Sequence, residues 1–370
     1  LAGSVKKEGN TWYYILELGK INGKRKQKKK RGFKTKREAQ QALVEAEHSL
    51  LKHGTYNEPS KVLYKDYLHD WLEDKKITIK DSTFKTYSWL VEKYIIPYLG
   101  EYQISQLGPN DIQKFYSLLI GKNELSRENI QKIHSLINNS LNKAERWGMI
   151  KRNVASLVDR PKATKTEFKV WDVEEVKGFL KVAIESRYYV AFLLALTTGM
   201  RQGEILGVRW KDIDFNNDSL SVRQTLSHDG KTIVSGAKTK SSVRTIMLPK
   251  ETINVLKEHK KIIMNEKKLG DILYNNNDLV VCTNIGTPCS PRNLLRVFYN
   301  LITKAEIQRI RFHDLRHTHA TLLLKQGVNP KIVAEILGHS NIRITLDTYS
   351  HVLPSMQIES ADKINKLFFE

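Results

Sequence analysis

The sequence predicts a multidomain α+β chain: a small β-sheet-plus-helix module, then a helical domain, then a mainly helical domain with a β-hairpin insert. Three observations lead there. The 370 residues are more than one hydrophobic core usually serves, so two or three domains are expected. The apolar pattern is strand-like near residue 15 and helix-like from residue 34 onward. A polar stretch, 159–168, then interrupts two helical regions and reads as an extended linker. The expected divisions are 1–57, 60–158, the linker 159–168, and 169–370.

TWYYILEL (11–18) is aromatic and β-branched and reads as a strand. Asn22-Gly23 within KINGKRKQKKKRGF (20–33) is a strong hairpin-turn signal. Thr35, with Glu38 three residues on, marks a helix start, and Ala39, Ala42, Leu43, Ala46 and Leu50 supply its apolar face up to Gly54. Between Leu18 and Glu38 there is no acidic residue, and Lys24, Arg25, Lys26, Lys28, Lys29, Lys30 and Arg31 crowd one stretch. A folded module meeting a polyanion fits this stretch, because Trp12, Tyr13, Tyr14 and Phe33 flank it. A solvated lysine face is the alternative.

Four helical patterns follow. VLYKDYLHDWLEDK (62–75) gathers Tyr64, Tyr67, Leu68, Trp71 and Leu72 on one side. STFKTYSWLVEKYIIPYLG (82–100) starts at a Ser82 cap and ends around Pro97 and Gly100. GPNDIQKFYSLLI (108–120) and SRENIQKIHSLINNSLNKAERWG (126–148) complete a compact bundle. After the linker, Asp172 caps a new helix. SLSVRQTL (219–226), the Asp229-Gly230 turn and KTIVSGAKTKSSVRTIMLP (231–249) form the hairpin insert. No internal repeat is present.

The formal charge is +21, from 61 basic and 40 acidic residues, which points to an anionic partner, nucleic acid first. A basic protein kept soluble by its charge is the bland alternative. Cys282 and Cys289 are too few for a disulfide framework and lack CxxC spacing, so a reducing cytoplasm is expected. No apolar stretch reaches membrane-spanning length and no secretion signal opens the chain, so no membrane partner is expected.

The chemistry concentrates in two stretches: ALTTGMRQGEILGVRWKDID (195–214) and FHDLRHTHATLLLKQGVNPKIVAEILGHSNIRITLDTYSHV (312–352). In this order, with a hairpin between them and a tyrosine near the end, they resemble the two catalytic boxes of the tyrosine recombinases, or phage-type integrases. The resemblance spans essentially the whole chain and is nearest to integrases of Gram-positive temperate phages and integrative conjugative elements. It implies an arm-type DNA-binding domain at 1–57, a SAM-like core-binding domain at 60–158 and a catalytic domain at 169–370. It also implies site residues: Arg201 as the first catalytic arginine, Lys238 as the hairpin lysine, His313 and Arg316 as the histidine-x-x-arginine pair, His339 after Gly338, and Tyr349 as nucleophile.

Elementary chemistry agrees with that set. A phosphodiester resists attack because its oxygens are already negative, and two arginines can stabilise the charge added in a pentacoordinate transition state. His313 and Arg316, at i and i+3, share a helix face. His313 can donate to phosphate or shuttle a proton, and His339 can donate to the same oxygens. Lys238 suits a general acid for the leaving oxygen; Lys240 points the other way if the strand is regular. Tyr349 lies between Thr348 and Ser350, outside any apolar cluster along the sequence.

Supporting roles are open for several neighbours. Glu204 either orients Arg201 or is a surface carboxylate. Asp314 either caps its helix or holds an imidazole. Of His317 and His319, one is expected to be buried and the other to hold the tyrosine segment; His351 is structural or phosphate-adjacent. His313 and His317 at i,i+4 could suit zinc, but arginines occupy the places where further ligands would be needed. No metal and no cofactor is expected.

The expected activity is site-specific DNA recombination through a 3′-phosphotyrosine and a Holliday junction, integrating and excising a mobile element. Expected partners are double-stranded DNA at core and arm sites and three further copies in a tetramer. An excision factor and a host DNA-bending protein complete the set. The amphipathic segment 355–370 could pack on a neighbouring copy or on its own domain. Two other classes are weighed. A type IB topoisomerase-like enzyme would relax DNA lacking specific sites, and a noncatalytic DNA-binding protein would form no covalent adduct.

Overall fold

The computed structural model describes residues 3–21, 24–53, 60–162, 168–235, 244–270, 272, 274–349 and 364–369. The chain divides into two compact units, Leu1–Thr166 and Glu167–Glu370. Lys238, Lys240, His351, the Asn22-Gly23 turn and Gly54 lie outside the described residues.

The first unit contains two separate cores. The amino-terminal one is an antiparallel sheet in the order β1 (Ser4–Glu8), β2 (Thr11–Ile21), β3 (Lys24–Phe33), covered by α1 (Lys36–His53). Tyr14 and Leu16 on β2 meet Leu43 and Ala46 on α1. The helix start is reciprocal, as the Thr35/Glu38 spacing implies. Glu38 N–H donates to Thr35 Oγ1 at 3.2 Å, and Thr35 N–H to Glu38 Oε2 at 3.4 Å. Strand β1 is not foreseen from the sequence. SVKKE has no strand periodicity and is a strand only because β2 offers it a partner, Val5 opposite Tyr14.

The second core is helical: α2 (Tyr64–Lys76), α3 (Asp81–Leu90), α4 (Ile96–Leu99), α5 (Pro109–Lys122) and α6 (Arg127–Arg146). Tyr64, Leu68, Trp71, Ile95, Ile112, Tyr116, Ile133 and Ile137 are buried together. The expected Ser82 cap is not found; the helix begins at Asp81 after Lys80, with no side-chain cap. A π turn, Val91–Ile95, joins α3 to α4, and Ile96 N–H bonds back to Val91 O. The widened turn precedes Pro97, which has no N–H and would crowd the carbonyl four residues back in a regular helix. Thus Pro97 sits inside a continuous helical rod rather than ending it.

The second unit is built on α8 (Tyr189–Thr198), an almost wholly buried apolar helix. Around it pack α7 (Val173–Ala183), α9 (Gln202–Leu206), α10 (Lys250–Gly270), α11 (Pro291–Lys304) and α12 (Asp314–Lys325), followed by α13 (Pro330–Leu337) and α14 (Ile342–Tyr349). Asp172 caps α7 in a reciprocal box with Glu175. The insert forms two pieces rather than one hairpin. A small sheet runs β4 (Ile213–Asp214), β5 (Ser219–Val222), β8 (Arg244–Met247), and a separate hairpin pairs β6 (Gln224–Leu226) with β7 (Ile233–Ser235). Asp229 ties the hairpin turn by accepting from Lys231 and Thr232. Residues 364–369 are helical, with Ile364, Leu367, Phe368 and Phe369 exposed. Among the described residues no helix is long and apolar enough to cross a membrane.

Candidate active site

Four elements converge on the site: the turn after α8, the start of α12, the turn after α13 and the end of α14. The first is set by Gly199, which closes α8 at φ +62°. A side chain there would be strained, and its Cβ would lie 2.7 Å from Leu337 Cδ2 and 2.8 Å from His319 Cδ2. Two residues later Arg201 occupies the N-cap of α9. The Glu204 carboxylate accepts from Arg201 N–H at 3.0 Å and from its Nη1 at 2.9 Å.

Glu204 is not a surface carboxylate. It is 8% exposed and also accepts from Arg244 Nη2 at 2.8 Å. Arg244 itself donates through Nε to Ile336 O at 2.6 Å, near the end of α13. Burial pushes the Glu204 pKa up. The hydrogen bonds and charges of Arg244 and then Arg201 outweigh it and hold the carboxyl below its usual range. The side chain of Arg201 remains 45% exposed while that of Arg244 is only 7% exposed. One guanidinium therefore faces outward, held by a carboxylate that the other, buried one braces.

At the start of α12, Asp314 accepts from Arg311 N–H at 2.8 Å and from Arg311 Nη2 at 2.8 Å. It holds the entry to the helix and, among the described residues, bonds no imidazole. His313 at the N-cap keeps an accessible ring. Partial desolvation, with the charges of Arg316 and Arg201, lowers its pKa. Arg316 is only 3% exposed. Its Nη1 donates to Gly199 O at 2.8 Å, linking the two arginine-bearing segments. Its Nη2 has no partner among the described residues. Burial first, then the charge of Arg201, brings its pKa down to about 9, so it is still a cation at neutral pH. A buried guanidinium with a donor unused is a site for an anion.

His339 follows Gly338, which closes α13 at φ +68°. Its Nδ1 lies 2.7 Å from Thr345 Oγ1. Burial, then Arg316 and Arg201, lowers its pKa to about 4, so the ring is neutral at neutral pH. Tyr349 ends α14, and its hydroxyl lies 2.9 Å from His317 Nδ1. Contrary to its polar neighbours in sequence, Tyr349 is 1% exposed and sits among Ala320, Leu324, Val333 and Leu337. The apolar surroundings come from α12 and α13, not from its own segment. Burial raises the phenol to about 12, against the lowering charge of Arg316.

The two remaining histidines of α12 divide as the sequence suggests. His319 is buried, with Nδ1 2.8 Å from Leu196 O, and backs Gly199. His317 holds the tyrosine. Phe168, at the carboxyl end of the expected linker, stacks on His317 at 4.3 Å and meets Tyr349 edge-on at 5.7 Å. The sequence reading missed Phe168 and Arg244. For Arg244 a signal existed: it shares the inward face of β8 with Ile246, and an inward charge on a strand needs a buried partner.

Arg316 feels the charges of Arg201 and Tyr349, and both arginines act on His313 and His339, so the five side chains gather at one place. Around it are two guanidiniums, imidazoles and a phenol, which together can receive a phosphate. In the amino-terminal sheet, Lys26, Lys28, Lys29, Lys30 and Arg31 lie along β3, as do Lys24 and Arg25. Glu8, from the unforeseen β1, pairs with two of them, with Lys29 at 3.2 Å and with Arg31 at 3.0 Å. Lys29 also lies over the Tyr13 ring.

Comparison with known proteins gives the family. The phage integrase family model matches residues 169–356, an arm DNA-binding domain matches 4–50, and a phage integrase N-terminal SAM-like domain matches 63–120. A tyrosine recombinase XerC-like protein of Caldanaerobacter subterraneus subsp. tengcongensis is 32% identical, over 98% of each chain. The ICEBs1 integrase of Bacillus subtilis is 28% identical over 80% of this chain and 81% of its own. The fold matches the Tn1549 transposon integrase in complex with a circular intermediate DNA, with TM-score 0.67 and 21% identity over 78% of this chain and 95% of that one. It also matches a lambda integrase dimer bound to a COC′ core site, with TM-score 0.59 and 18% identity over 93% and 94%. Fold and relatives define an enzyme that breaks and rejoins DNA. The chain belongs to the phage integrase family, the tyrosine recombinases, whose members carry out site-specific recombination of mobile elements.

Proposed function

We propose that Tyr349 attacks a scissile DNA phosphate held by Arg201, Arg316 and His339, forming a 3′-phosphotyrosine and freeing a 5′ hydroxyl. One observation carries this reading: the phenol of Tyr349 is fixed by a hydrogen bond within reach of the Arg316 charge. Arg316 and Arg201 neutralise the nonbridging oxygens as negative charge grows on them. With Thr345 donating to His339 Nδ1, Nε2 keeps its proton and donates to the same phosphate. His313, at the accessible edge, donates to phosphate. Lys238, assigned from sequence, protonates the leaving 5′ oxygen.

Attack by the 5′ hydroxyl of a second duplex on the phosphotyrosine exchanges one strand. A second round through a Holliday junction completes the exchange and integrates or excises a mobile element. This needs four protomers on two core sites, with the exposed apolar face of 364–369 offering a contact to a neighbour. The basic strand β3 binds separate arm sites, mostly through phosphates. An excision factor and a host DNA-bending protein assist it, and the work is done in the cytoplasm.

The test is a nicked suicide DNA carrying the element's attachment site. The wild-type chain accumulates a covalent protein–DNA adduct, and Tyr349→Phe binds the same DNA without forming one. An adduct that persists in Tyr349→Phe would remove Tyr349 from the reaction.

A further inference from the structure

The geometry points to His317 as the group that takes the proton from the Tyr349 hydroxyl during strand cleavage. This rests on the reading of Tyr349 as nucleophile and adds a residue to the reaction.

His317 Nδ1 is 2.9 Å from the Tyr349 oxygen, within direct proton-transfer distance. The ring is fixed on two sides: Phe168 stacks on it at 4.3 Å with planes 16° apart, and His313 meets it edge-on at 5.1 Å. One turn of α12 brings His313 and His317 together, and Tyr349 arrives from α14. The contact therefore joins two elements and is not a local feature of either. His313 itself has no hydrogen bond to the phenol among the described residues.

The charged and titratable groups around His317 are His313, Asp314, Arg316 and Arg311 at the start of α12, and Tyr349 on α14. His339, from the turn after α13, is coupled to it by charge. Burial first, then His313, lowers His317 to about 4 in the free protein. The ring is therefore neutral at physiological pH and has a lone pair to offer. Arg316 contributes to that lowering. A bound phosphate neutralises this cation, so the imidazole becomes a stronger base when DNA is present.

The step balances. The Tyr349 O–H bond breaks and its proton passes to His317 Nδ1. The released oxygen pair forms the O–P bond, and the P–O5′ bond breaks with its electron pair on the 5′ oxygen, which takes a proton from Lys238. On rejoining, the incoming 5′ hydroxyl returns its proton to the lysine as it attacks, and His317 returns its own to the departing phenol.

His317→Asn separates proton transfer from positioning. Asparagine Oδ1 replaces Nδ1 as hydrogen-bond acceptor but takes no proton. Single-turnover adduct formation on the suicide DNA is measured from pH 5 to 8, alongside DNA affinity. The expected result is affinity within about twofold of wild type and adduct formation slower by roughly 10²-fold at pH 7. The wild-type rate should fall toward the acid end of the range as the ring is protonated, a fall that the variant lacks. A variant within threefold of wild type that keeps the wild-type profile overturns the proposal. Should His317→Asn fail to fold, His317→Gln is measured in the same way: a rate within threefold of wild type overturns the proposal, and a loss of roughly 10²-fold with DNA affinity kept supports it. Complete loss of adduct in Tyr349→Phe is a separate outcome, so the two readings can fail independently.

Discussion

Replacing Arg316 with methionine should stabilise the free protein while nearly abolishing strand cleavage. Arg316 is 3% exposed, and among the described residues its Nη1 donates to Gly199 O while its Nη2 is unpartnered. Removing a buried charge in favour of an apolar side chain of similar length is often stabilising, here by about 1–3 kcal/mol after the lost hydrogen bond is counted. The sign with pH follows from the direction of the shift. The folded-state pKa, about 9, lies below the unfolded value, so above pH 9 the unfolded chain binds more protons and wild-type stability rises. Urea denaturation at pH 7 and again above pH 9 should therefore give a gap between variant and wild type that narrows at the higher pH. Adduct formation should fall by at least about 10³-fold, since a charged donor aimed at developing phosphate charge is lost. A variant less stable than wild type at pH 7 would show that Arg316 is a structural residue and not a buried charge kept for catalysis at a cost in stability.

Replacing Glu204 with glutamine should have the opposite stability sign. The carboxylate joins Arg201 and Arg244, and removing its charge leaves the buried Arg244 guanidinium uncompensated. Breaking a buried pair from one side costs about 3–5 kcal/mol. Because the folded pKa of Glu204 is lowered, its stabilisation is present above the ordinary carboxylate range and lost as pH falls through the folded value. Wild type should therefore lose stability in acid more steeply than the variant, as read by denaturation between pH 7 and pH 3. Cleavage falls too, since Arg201 loses its tether. Glu204→Gln combined with Arg244→Met should recover part of the lost stability, because the second change removes the stranded charge. Additive losses in the double variant would mean that the two side chains are not coupled.

Arg244 and Phe168 mark where sequence reading stops. Arg201, His313, Arg316, His339 and Tyr349 stand out along the chain because each sits in one of the two stretches that resemble the catalytic boxes of the tyrosine recombinases. The helical bundle is legible from periodicity, and the starts of α1 and α7 from capping pairs. Arg244 is one of 61 basic residues, and only the fold reveals that Glu204 and the Ile336 carbonyl enclose it. Phe168 ends a polar stretch, and its packing on His317 joins residues far apart in the chain. The burial of Tyr349 is illegible for the same reason: its apolar neighbours belong to α12 and α13. Strand β1 has no pattern of its own and depends on its partner β2. The Ser82 cap fails because the extended N-cap backbone falls two residues earlier, at Lys80, which leaves Ser82 inside the first turn of the helix.

The most direct measurement identifies the amino acid joined to DNA. The wild-type adduct trapped on nicked suicide DNA is digested with protease and nuclease, and the nucleotide-bearing peptide is sequenced by mass spectrometry. The expected result is one modified peptide, carrying a 3′-phosphate ester on Tyr349. Attachment at any other tyrosine, or at a serine, would contradict the assignment of the buried phenol beside Arg316 as the group that cleaves DNA.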